Sequence, residues 1–356
     1  MAEYILIPYQ RVLQFCNNIL LQAGLDTEQA SVTAEAICSA SLRGIDSHGI
    51  RLLPHYLEAI EKRRINPEAE FHFKQTSMST GILDANHGIA HAAVAKAMDH
   101  AIELAIQTGT GFVSVKNSNH CGAMSYYAMR ACEKDMIGIA CTNASPKLRV
   151  FNSTKPYFGI NPICFAAPIE GEEPFCYDAA PSVISNNKIK MLAEKGEILP
   201  SQVAADENGK MTLDPVLSKM LIPLGGTHAG YKGYAMAMIV DIMCSLLSGM
   251  PNGKDVSMMY QDDGGQISDK RYLGQFVGAF RIDVFEEVSE FKRRLKETAN
   301  EVRALPRSDE ALDEVMIPGD PEKRTKAKRL QEGIPLSSSL IITLNNIAER
   351  YQLEMI

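Results

Sequence analysis

Two short polar segments of the sequence bring histidine together with other side chains that could perform chemistry. The first segment, residues 44–51, contains an acid, a hydroxyl, an imidazole and a guanidinium, in the order Asp46, Ser47, His48 and Arg51. The second, residues 116–122, follows a predicted apolar strand and contains Ser118 and His120. Active sites of sheet domains collect at strand ends, and imidazole exchanges protons near neutral pH. Either histidine alone is more often structural, but the two segments together predict an enzyme. A serine nucleophile is disfavoured, because no Gly-x-Ser-x-Gly turn surrounds Ser118.

The glycine-rich runs do not match the common nucleotide-binding loops. The dinucleotide fingerprint Gly-x-Gly-x-x-Gly follows a strand and opens a helix, whereas residues 109–111 follow a predicted helix and open a strand. We interpret residues 109–111 as a helix stop. Residues 225–233 contain the start of a predicted helix and carry Lys232, so backbone N–H groups and an ammonium could hold an anion there. A Walker loop is excluded because Tyr231 separates the preceding glycine from Lys232. Phosphate binding and a merely flexible loop both stay open for this run.

A pair of histidines near the middle of the sequence has a spacing that could bind a metal ion. His87 and His91 are four residues apart at the start of a predicted helix, so two imidazoles could face one ion. The glutamate of the His-Glu-x-x-His motif is absent. We interpret the pair as solvent-exposed or capping residues and predict no metal site.

Length and composition exclude several classes of protein. The 356 residues indicate about two domains. Lys and Arg total 36 against 43 Asp and Glu, a net charge of −7 that argues against nucleic acid as a partner. The eight cysteines show no Cys-x-x-Cys pair, so reduced thiols and a cytoplasmic location are predicted. The longest apolar stretch, residues 234–250, is shorter than the ~20 residues of a membrane span, and it predicts a buried helix rather than contact with a membrane.

Hydrophobic periodicity predicts the elements that must position these segments. Helices are predicted over 8–24, 27–43, 52–62, 90–107, 284–304 and 337–351, and strands over 71–73, 80–84, 111–116, 137–142, 162–167 and 175–178. Helical material at both chain ends can pack together. The sequence therefore predicts a discontinuous helical domain, residues 1–74 plus 286–356, around a sheet domain of residues 75–285.

A series of motifs recurs in a fixed order along the chain. They are RGIDSHGI at 43–50, NSNHCGA at 117–123, TN at 142–143, GINP at 159–162, DAA at 178–180, GYKGY at 230–234 and IPGD at 317–320. This series resembles the malate/L-lactate dehydrogenase type 2 family, which includes ureidoglycolate dehydrogenase, diketogulonate reductase, sulfolactate dehydrogenase and piperideine-2-carboxylate reductase. The resemblance spans residues 8–335. It implies an α+β, sulfolactate dehydrogenase-like fold with a non-Rossmann NAD(P)-binding sheet domain, which accounts for the missing fingerprint.

The resemblance also implies a function and its residues. Members of the family transfer hydride between NAD(P)H and C2 of a small 2-oxo or imino acid, usually as homodimers. His48 and His120 match the two histidines associated with proton transfer, and Arg51 lies one residue before the family's usual carboxylate-binding arginine, where this chain has Leu52. The residues that match cofactor-binding positions are Asp178, Ala179, Ala180, Lys232, Gly319, Asp320 and Pro321.

Three departures from the family pattern concern the cofactor side. Residues 150–153 replace a glycine-rich turn, Ala179-Ala180-Pro181 replaces the usual residues after the aspartate, and Asn187 stands where glycine is expected before Lys188. Lys147, Arg149 and Lys155 crowd the altered turn, which predicts a modest preference for NADP over NAD. Three functions stay open: a 2-hydroxy or 2-oxo acid dehydrogenase, a cyclic imino-acid reductase, and a catalytically silent relative that binds a metabolite or a protein.

Overall fold

The computed structural model of the chain describes residues 4–260, 266–309 and 314–356. The helices are α1 (Tyr9–Gln22), α2 (Thr27–Leu42), α3 (Leu53–Glu61), α4 (Ala90–Thr108), α5 (Ser125–Cys132), α6 (Asn186–Lys195), α7 (Gly226–Asp241), α8 (Val288–Arg303), α9 (Asp320–Glu332) and α10 (Ser338–Arg350). The strands are β1 (Tyr4–Ile7), β2 (His72–Gln75), β3 (Thr80–Asp84), β4 (Thr110–Ser118), β5 (Met136–Thr142), β6 (Leu148–Arg149), β7 (Pro156–Phe158), β8 (Ile163–Ala167), β9 (Phe175–Ala179), β10 (Ala204–Ala205), β11 (Met220–Leu221), β12 (Leu273–Arg281) and β13 (Ile334–Ser337).

A seven-stranded sheet forms the centre of the molecule, in the order β2-β3-β4-β12-β5-β8-β9. β3 and β4 run parallel, and the other neighbouring pairs are antiparallel. Helices α4 and α5 cover one face, and two glycines set how closely they approach. A Cβ at Gly111 would lie 2.0 Å from the Ala101 carbonyl oxygen, and one at Gly138 would lie 2.0 Å from that of Ala128. Gly109, with φ +90°, ends α4 as predicted.

The helical unit combines both ends of the chain. Helices α1, α2, α3 and α10 share one apolar core, and β1 pairs antiparallel with β13. Two predicted starts are confirmed with their physical reason: Asp26 accepts a hydrogen bond from the Gln29 N–H at 2.8 Å ahead of Thr27, and Ser337 accepts one from Leu340 N at 3.3 Å. Residues 43–52 join α2 to α3, and Ile50 and Leu52 of this loop belong to the same apolar core.

A small four-stranded sheet, in the order β10-β11-β6-β7, forms a third region that the periodicity did not predict. Its strands have two or three residues, too few to show an alternating pattern. Helices α6 and α7 contribute to its separate apolar core through Ile189, Leu192 and Ala237. The domain boundaries at residues 74/75 and 285/286 stay a prediction.

Helices α8 and α9 are fixed by charge rather than by a large apolar surface. The Glu172 carboxylate accepts hydrogen bonds from Lys296, Arg303 and Lys323 at 2.6–3.0 Å. The same three cations, Arg303 first, lower the pKa of Glu172. This network joins both helices to the turn between β8 and β9. It places the 317–321 segment against the edge of the central sheet.

The apolar stretch 234–250 is only partly buried, so the prediction of a buried helix there is wrong for one face. Met238, Ile239, Ile242, Leu246 and Leu247 are 41–59% exposed. The opposite face, with Val240 and Cys244, packs on the central sheet. Within residues 4–260, 266–309 and 314–356, no helix combines the length and apolar character that crossing a membrane requires.

Candidate active site

His48 and His120 come together at one end of the central sheet. His120 follows the end of β4 by two residues, and His48 lies in the turn between α2 and α3. Their rings are stacked, with 5.7 Å between centroids and 17° between planes. Gly122, with φ +72°, forms the turn after His120, and a Cβ there would lie 3.0 Å from His91 Nε2. The two polar segments of the sequence therefore form one cluster.

Tyr56 on α3 fixes the orientation of His120. Its hydroxyl lies 2.7 Å from His120 Nδ1, and Tyr56 itself is 1% exposed. Because Nδ1 is held by the hydroxyl, Nε2 is the ring nitrogen that can reach a reacting group. Ser47 holds His48 in the same way, with 2.9 Å between Ser47 Oγ and His48 Nδ1. Both imidazoles therefore have a hydroxyl partner on Nδ1.

Both imidazoles of the cluster are neutral near pH 7. Displacement of water by protein atoms lowers the pKa of His48 to about 4. The same cause, followed by the proximity of His48 and His91, lowers the pKa of His120 well below its usual value. Both residues keep part of their surface accessible. An accessible neutral imidazole can accept a proton from a substrate hydroxyl.

The remaining charged residues of the first polar segment have protein partners. Asp46 accepts two hydrogen bonds from Arg329 of α9, at 2.5 and 2.8 Å, and so anchors the loop. Arg51 forms an ion pair with Glu194 of α6 and is 38% exposed. Leu52, the next residue, is buried in the helical core. The role of Arg51 in holding a substrate carboxylate stays a prediction.

Arg271 is a buried cation that the sequence analysis missed. It is 4% exposed and donates one hydrogen bond, from Nη2 to Ser145 Oγ at 3.0 Å. Among the described residues, its Nε and Nη1 have no hydrogen-bond partner. Arg271 precedes β12 by two residues, Leu273 of β12 pairs with Ser118 at the end of β4, and the charge of Arg271 is one of the smaller causes of the lowered pKa of His120. Burial, followed by the charge of Arg64, lowers the pKa of Arg271 to about 9. Arg271 stays charged at neutral pH and can bind a carboxylate.

His91 is buried, so its interpretation as a solvent-exposed or capping residue is wrong. It is 1% exposed because the first turn of α4 faces the core, and its ring contacts Tyr56 edge to face at 4.8 Å. Neither ring nitrogen has a hydrogen-bond partner within the described ranges. Across those same ranges, no group of three or more His, Cys, Asp or Glu side chains could hold a metal ion.

Three segments that match cofactor-binding motifs meet at the edge strand β9. Asp178 and Ala179 end this strand, and Ala180 follows it. The Leu224 N–H donates to the Pro181 carbonyl at 3.1 Å, which brings the start of α7 alongside. Cys176 N donates to the Pro318 carbonyl at 3.3 Å and brings the 317–321 segment to the same edge. Cofactor contacts of Asp178, Ala179, Ala180, Lys232, Gly319, Asp320 and Pro321 stay a prediction.

The cofactor segments and the histidine cluster are joined by a short piece of chain. The Ser125 N–H donates to Asp178 Oδ2 at 2.8 Å, and Ser125 is only five residues from His120. Five residues span at most about 18 Å. Burial raises the pKa of Asp178, and the hydrogen bond from Ser125 acts in the opposite direction. Asp320, in contrast, is held by both Arg303 side-chain hydrogen bonds and by Ile317 N.

The first turn of α7 has the properties of a site for an anionic cofactor group. Gly225 and Gly226 have φ +93° and +61°, and a Cβ at Gly226 would meet open space. α7 is kinked at Ala229, where φ is −126°; its first turn contains no acidic residue, and Lys232 is exposed beyond the kink. The start of a helix and an exposed ammonium both favour phosphate. The residues present therefore fit the diphosphate of a dinucleotide.

Two site residues escaped the sequence analysis for different reasons. Tyr56 falls on the apolar face of α3 with Leu53 and Leu57, so the pattern assigns it to the core; its position one turn after the 44–51 segment was the available signal. Arg271 carries no local signal beyond preceding an apolar stretch. Only the pairing of β12 with β4 brings it to the histidines.

Comparison with known proteins agrees with this arrangement. The profile of the malate/L-lactate dehydrogenase family matches residues 7–345. Malate dehydrogenase of Pyrococcus abyssi is 34% identical over 354 residues, covering 98% of this chain and 95% of that protein. Ureidoglycolate dehydrogenase (NAD(+)) of Escherichia coli K12 is 33% identical over 330 residues, covering 93% and 92%. The structure of sulfolactate dehydrogenase from Methanocaldococcus jannaschii superposes with a TM-score of 0.89 at 29% identity, covering 99% and 98% of the chains.

These matches confirm the predicted α+β, sulfolactate dehydrogenase-like fold. They extend over nearly the full length of both partners. They also remove the catalytically silent relative from the open functions. The chain belongs to the malate/L-lactate dehydrogenase family and is an oxidoreductase.

Proposed function

We propose that the protein is an NAD(P)-dependent dehydrogenase that oxidises a small 2-hydroxy acid at C2 and reduces the corresponding 2-oxo acid, with His120 as proton-transfer residue. The observation that carries this assignment is the pairing of two groups at one strand end. One is a neutral, accessible imidazole held at Nδ1 by Tyr56. The other is the buried Arg271 guanidinium with two unpartnered nitrogens. A 2-hydroxy acid needs both, a proton acceptor for its hydroxyl and a cation for its carboxylate.

Each residue of the site has one task in this proposal. The nicotinamide supplies or accepts the hydride at C2 when it is bound. Lys232 and the first turn of α7 bind its phosphates, while Asp178, Ala179, Ala180 and the 319–321 segment line the adjoining edge. Arg271 binds the substrate carboxylate, with Arg51 at the rim of the site. His120 Nε2 accepts the hydroxyl proton during oxidation, in the tautomer whose Nδ1–H is donated to the Tyr56 oxygen, and returns the proton during reduction. His48 packs beside His120 and limits its contact with water.

A substrate panel with both cofactors tests the proposed function. NADH and NADPH are first titrated while nicotinamide fluorescence is followed, and oxidation is then measured with a series of 2-oxo acids and cyclic imines. We expect binding of at least one cofactor and turnover of a 2-oxo acid. Turnover of cyclic imines alone would instead establish an imino-acid reductase. Absence of binding at millimolar concentration of either cofactor would contradict the proposal.

The lowered pKa of His120 predicts an unusual pH profile for the oxidation reaction. Oxidation requires the neutral imidazole, and an ordinary histidine of pKa 6.5 is about three-quarters protonated at pH 6. Because the pKa of His120 is lowered, the neutral form persists down to more acidic pH. We expect kcat/KM for the hydroxy acid to stay within twofold between about pH 8 and pH 6. A fall of fourfold or more over this range, in the wild type, would assign the proton transfer to a group with an ordinary pKa.

Charge near the altered turn supports a preference for NADP. Phe151 of this turn contacts Tyr231 edge to face at 5.8 Å, which brings Arg149 and Lys155 towards the start of α7. A positive cluster there favours the additional phosphate of NADP. We expect a severalfold higher kcat/KM with NADPH than with NADH, and Lys155→Glu should abolish the difference. Lys96→Glu, an exposed substitution on α4, is the control and should leave the ratio unchanged. Equal efficiency of the two cofactors in the wild type would refute this preference.

We also propose a homodimer in the cytoplasm. The exposed apolar side chains of the 234–250 stretch form a continuous face, and such faces are usually covered by another chain. A second copy is the occupant that the family resemblance favours. All eight cysteines are buried free thiols, as expected in a reducing compartment. Light scattering of the purified protein should give twice the mass of one chain, and Ile239→Lys should shift it to the monomer.

A further inference from the structure

Three residues form a closed ring of hydrogen bonds at the start of β12. Arg271 Nη2 donates to Ser145 Oγ at 3.0 Å, and Ser145 Oγ donates to the Ser257 carbonyl oxygen at 2.9 Å. Ser257 Oγ closes the ring by donating to the Arg271 carbonyl oxygen at 3.3 Å. A serine hydroxyl has one hydrogen, and that of Ser145 is directed at Ser257, so its lone pairs are left to accept from the guanidinium. The ring therefore holds both the main chain and the side chain of Arg271.

The arginine of this ring lies at the strand end that carries His120. Leu273, two residues after the arginine, pairs with Ser118 of β4. Gln275 Nε2, on the same strand β12, donates to the Asn119 carbonyl oxygen at 3.1 Å. Residues 118 and 119 directly precede His120. The ring therefore fixes a cation at the start of the strand that contacts the segment of the proton-transfer residue.

The buried arginines of this chain differ in the partners that they have. Arg43 is buried and forms an ion pair with Glu173 at 2.5 Å. Arg64 is buried and donates to two main-chain carbonyl oxygens. Arg271 donates to the neutral Ser145 hydroxyl, and its Nε and Nη1 have no partner among the described residues. Within those residues, Arg271 therefore lacks a carboxylate that would balance its charge.

A neutral partner is costly for a buried guanidinium, because a cation removed from water is destabilising unless an anion lies beside it. A carboxylate at position 145 would balance the charge and stabilise the free protein. It would also occupy the guanidinium, which a substrate carboxylate needs for its own hydrogen bonds. Serine instead fixes the guanidinium in place and leaves its charge to be balanced by a ligand.

We propose that Ser145 is a positioning residue for Arg271, and that its neutral hydroxyl reserves the Arg271 charge for the substrate carboxylate. The proposal rests on the proposed function and deepens it, because it names the residue that keeps the carboxylate site free. Ser257 supports this arrangement, since its carbonyl and its hydroxyl connect Ser145 with the Arg271 main chain. A protein carboxylate in place of Ser145 would act as an internal competitor of the substrate.

A matched pair of variants separates charge from size at position 145. Ser145→Asp and Ser145→Asn introduce side chains of nearly equal volume, and only the first is negatively charged. The assay uses whichever of pyruvate, 2-oxobutyrate and oxaloacetate the wild type reduces fastest. We expect KM for this acid to be at least 30-fold higher in Ser145→Asp than in Ser145→Asn, with kcat and KM for the cofactor within threefold. The Asp variant should also have the higher midpoint of thermal unfolding, because its carboxylate balances the buried cation.

Two further variants test the hydroxyl itself. Ser145→Ala removes the hydrogen bond to Arg271 and should raise KM for the 2-oxo acid about 3- to 10-fold. Ser145→Thr retains a hydroxyl and should keep this KM within twofold of the wild type. The control is Ser339→Asp, which adds a negative charge at an exposed position in the first turn of α10 and should leave KM unchanged.

Equal KM values for Ser145→Asp and Ser145→Asn, or a lower unfolding midpoint for the Asp variant, would overturn the proposal. If neither of these variants folds, equal KM values for Ser145→Ala and Ser145→Thr would overturn it as well. In each case the wild type still reduces the 2-oxo acid, so the dehydrogenase function stands. Failure of the wild type to oxidise NADH or NADPH with any acid of the panel would instead contradict the proposed function itself.

Discussion

Replacing His120 by asparagine is expected to lower kcat by about 10²- to 10⁴-fold, the usual contribution of general acid–base catalysis. Asparagine keeps a polar side chain near the Tyr56 hydroxyl but cannot accept the substrate proton. The cofactor segments lie on β9, α7 and α9, so NADH and NADPH binding should be unchanged within twofold. Stopped-flow measurement of hydride transfer and a fluorescence titration of the cofactor separate the two effects.

Variants of other residues show whether the loss of kcat is specific to His120. His72→Asn changes an exposed histidine on β2 and should leave kcat unaffected. Tyr56→Phe removes the hydroxyl that holds Nδ1, so we expect an intermediate loss and a displaced pH profile. If the two imidazoles form a proton relay, His48→Asn should lower kcat as much as His120→Asn does. If His48 only orders the loop, kcat should stay near the wild-type value. If both His48→Asn and His120→Asn kept more than a tenth of wild-type kcat, proton transfer would have to be assigned to another group.

Replacing Arg271 by methionine should lower kcat/KM for the 2-oxo acid by about 100-fold, mainly by raising KM. Hydrogen bonds to a charged group contribute about 1.5–3 kcal/mol each, and loss of a ground-state contact weakens substrate and transition state together. The stability of the free protein should change in the opposite direction. A buried guanidinium with one hydrogen bond is costly, so an apolar side chain of similar length should raise the midpoint of thermal unfolding.

A lower kcat/KM together with a higher midpoint of thermal unfolding would identify Arg271 as a residue that binds substrate rather than one that stabilises the fold. Ser145 keeps its hydrogen bond to the Ser257 carbonyl in the variant, so no partner is left unsatisfied. Arg51→Ala is the matched comparison, because Arg51 is 38% exposed and already paired with Glu194. We expect a smaller increase in KM for Arg51→Ala. A larger increase in KM for Arg51→Ala than for Arg271→Met would show instead that the substrate carboxylate binds at the 44–51 segment.

Helices and strands with a continuous hydrophobic pattern were predictable from the sequence. Elements whose pattern is interrupted where the chain packs closely were not. Helix α4 and strands β3, β5 and β8 lie within two residues of the predicted bounds, because each has an uninterrupted apolar face. The central strand β12 was not predicted, because glycine interrupts its hydrophobic pattern where other backbone comes close. A Cβ at Gly274 would lie 1.7 Å from the Cys244 carbonyl oxygen, so only glycine fits there.

The candidate site shows the same division. His48 and His120 stood out because polar residues clustered around them in the sequence. Tyr56 and Arg271 did not, since each is an isolated residue within an ordinary helix or loop. The position of Arg271 depends on the long-range pairing of β12 with β4, and local periodicity contains no information about such a pair.

Transfer of a labelled hydride tests the central claim most directly. The protein is incubated with the preferred 2-oxo acid and with NADH or NADPH that carries deuterium at C4 of the nicotinamide, prepared separately in each stereochemical position. The product is then analysed by mass spectrometry and NMR. The account predicts that one of the two labelled cofactors gives a 2-hydroxy acid with a single deuterium at C2 and no label elsewhere. A product without deuterium at C2 from either cofactor would contradict direct hydride transfer at this site.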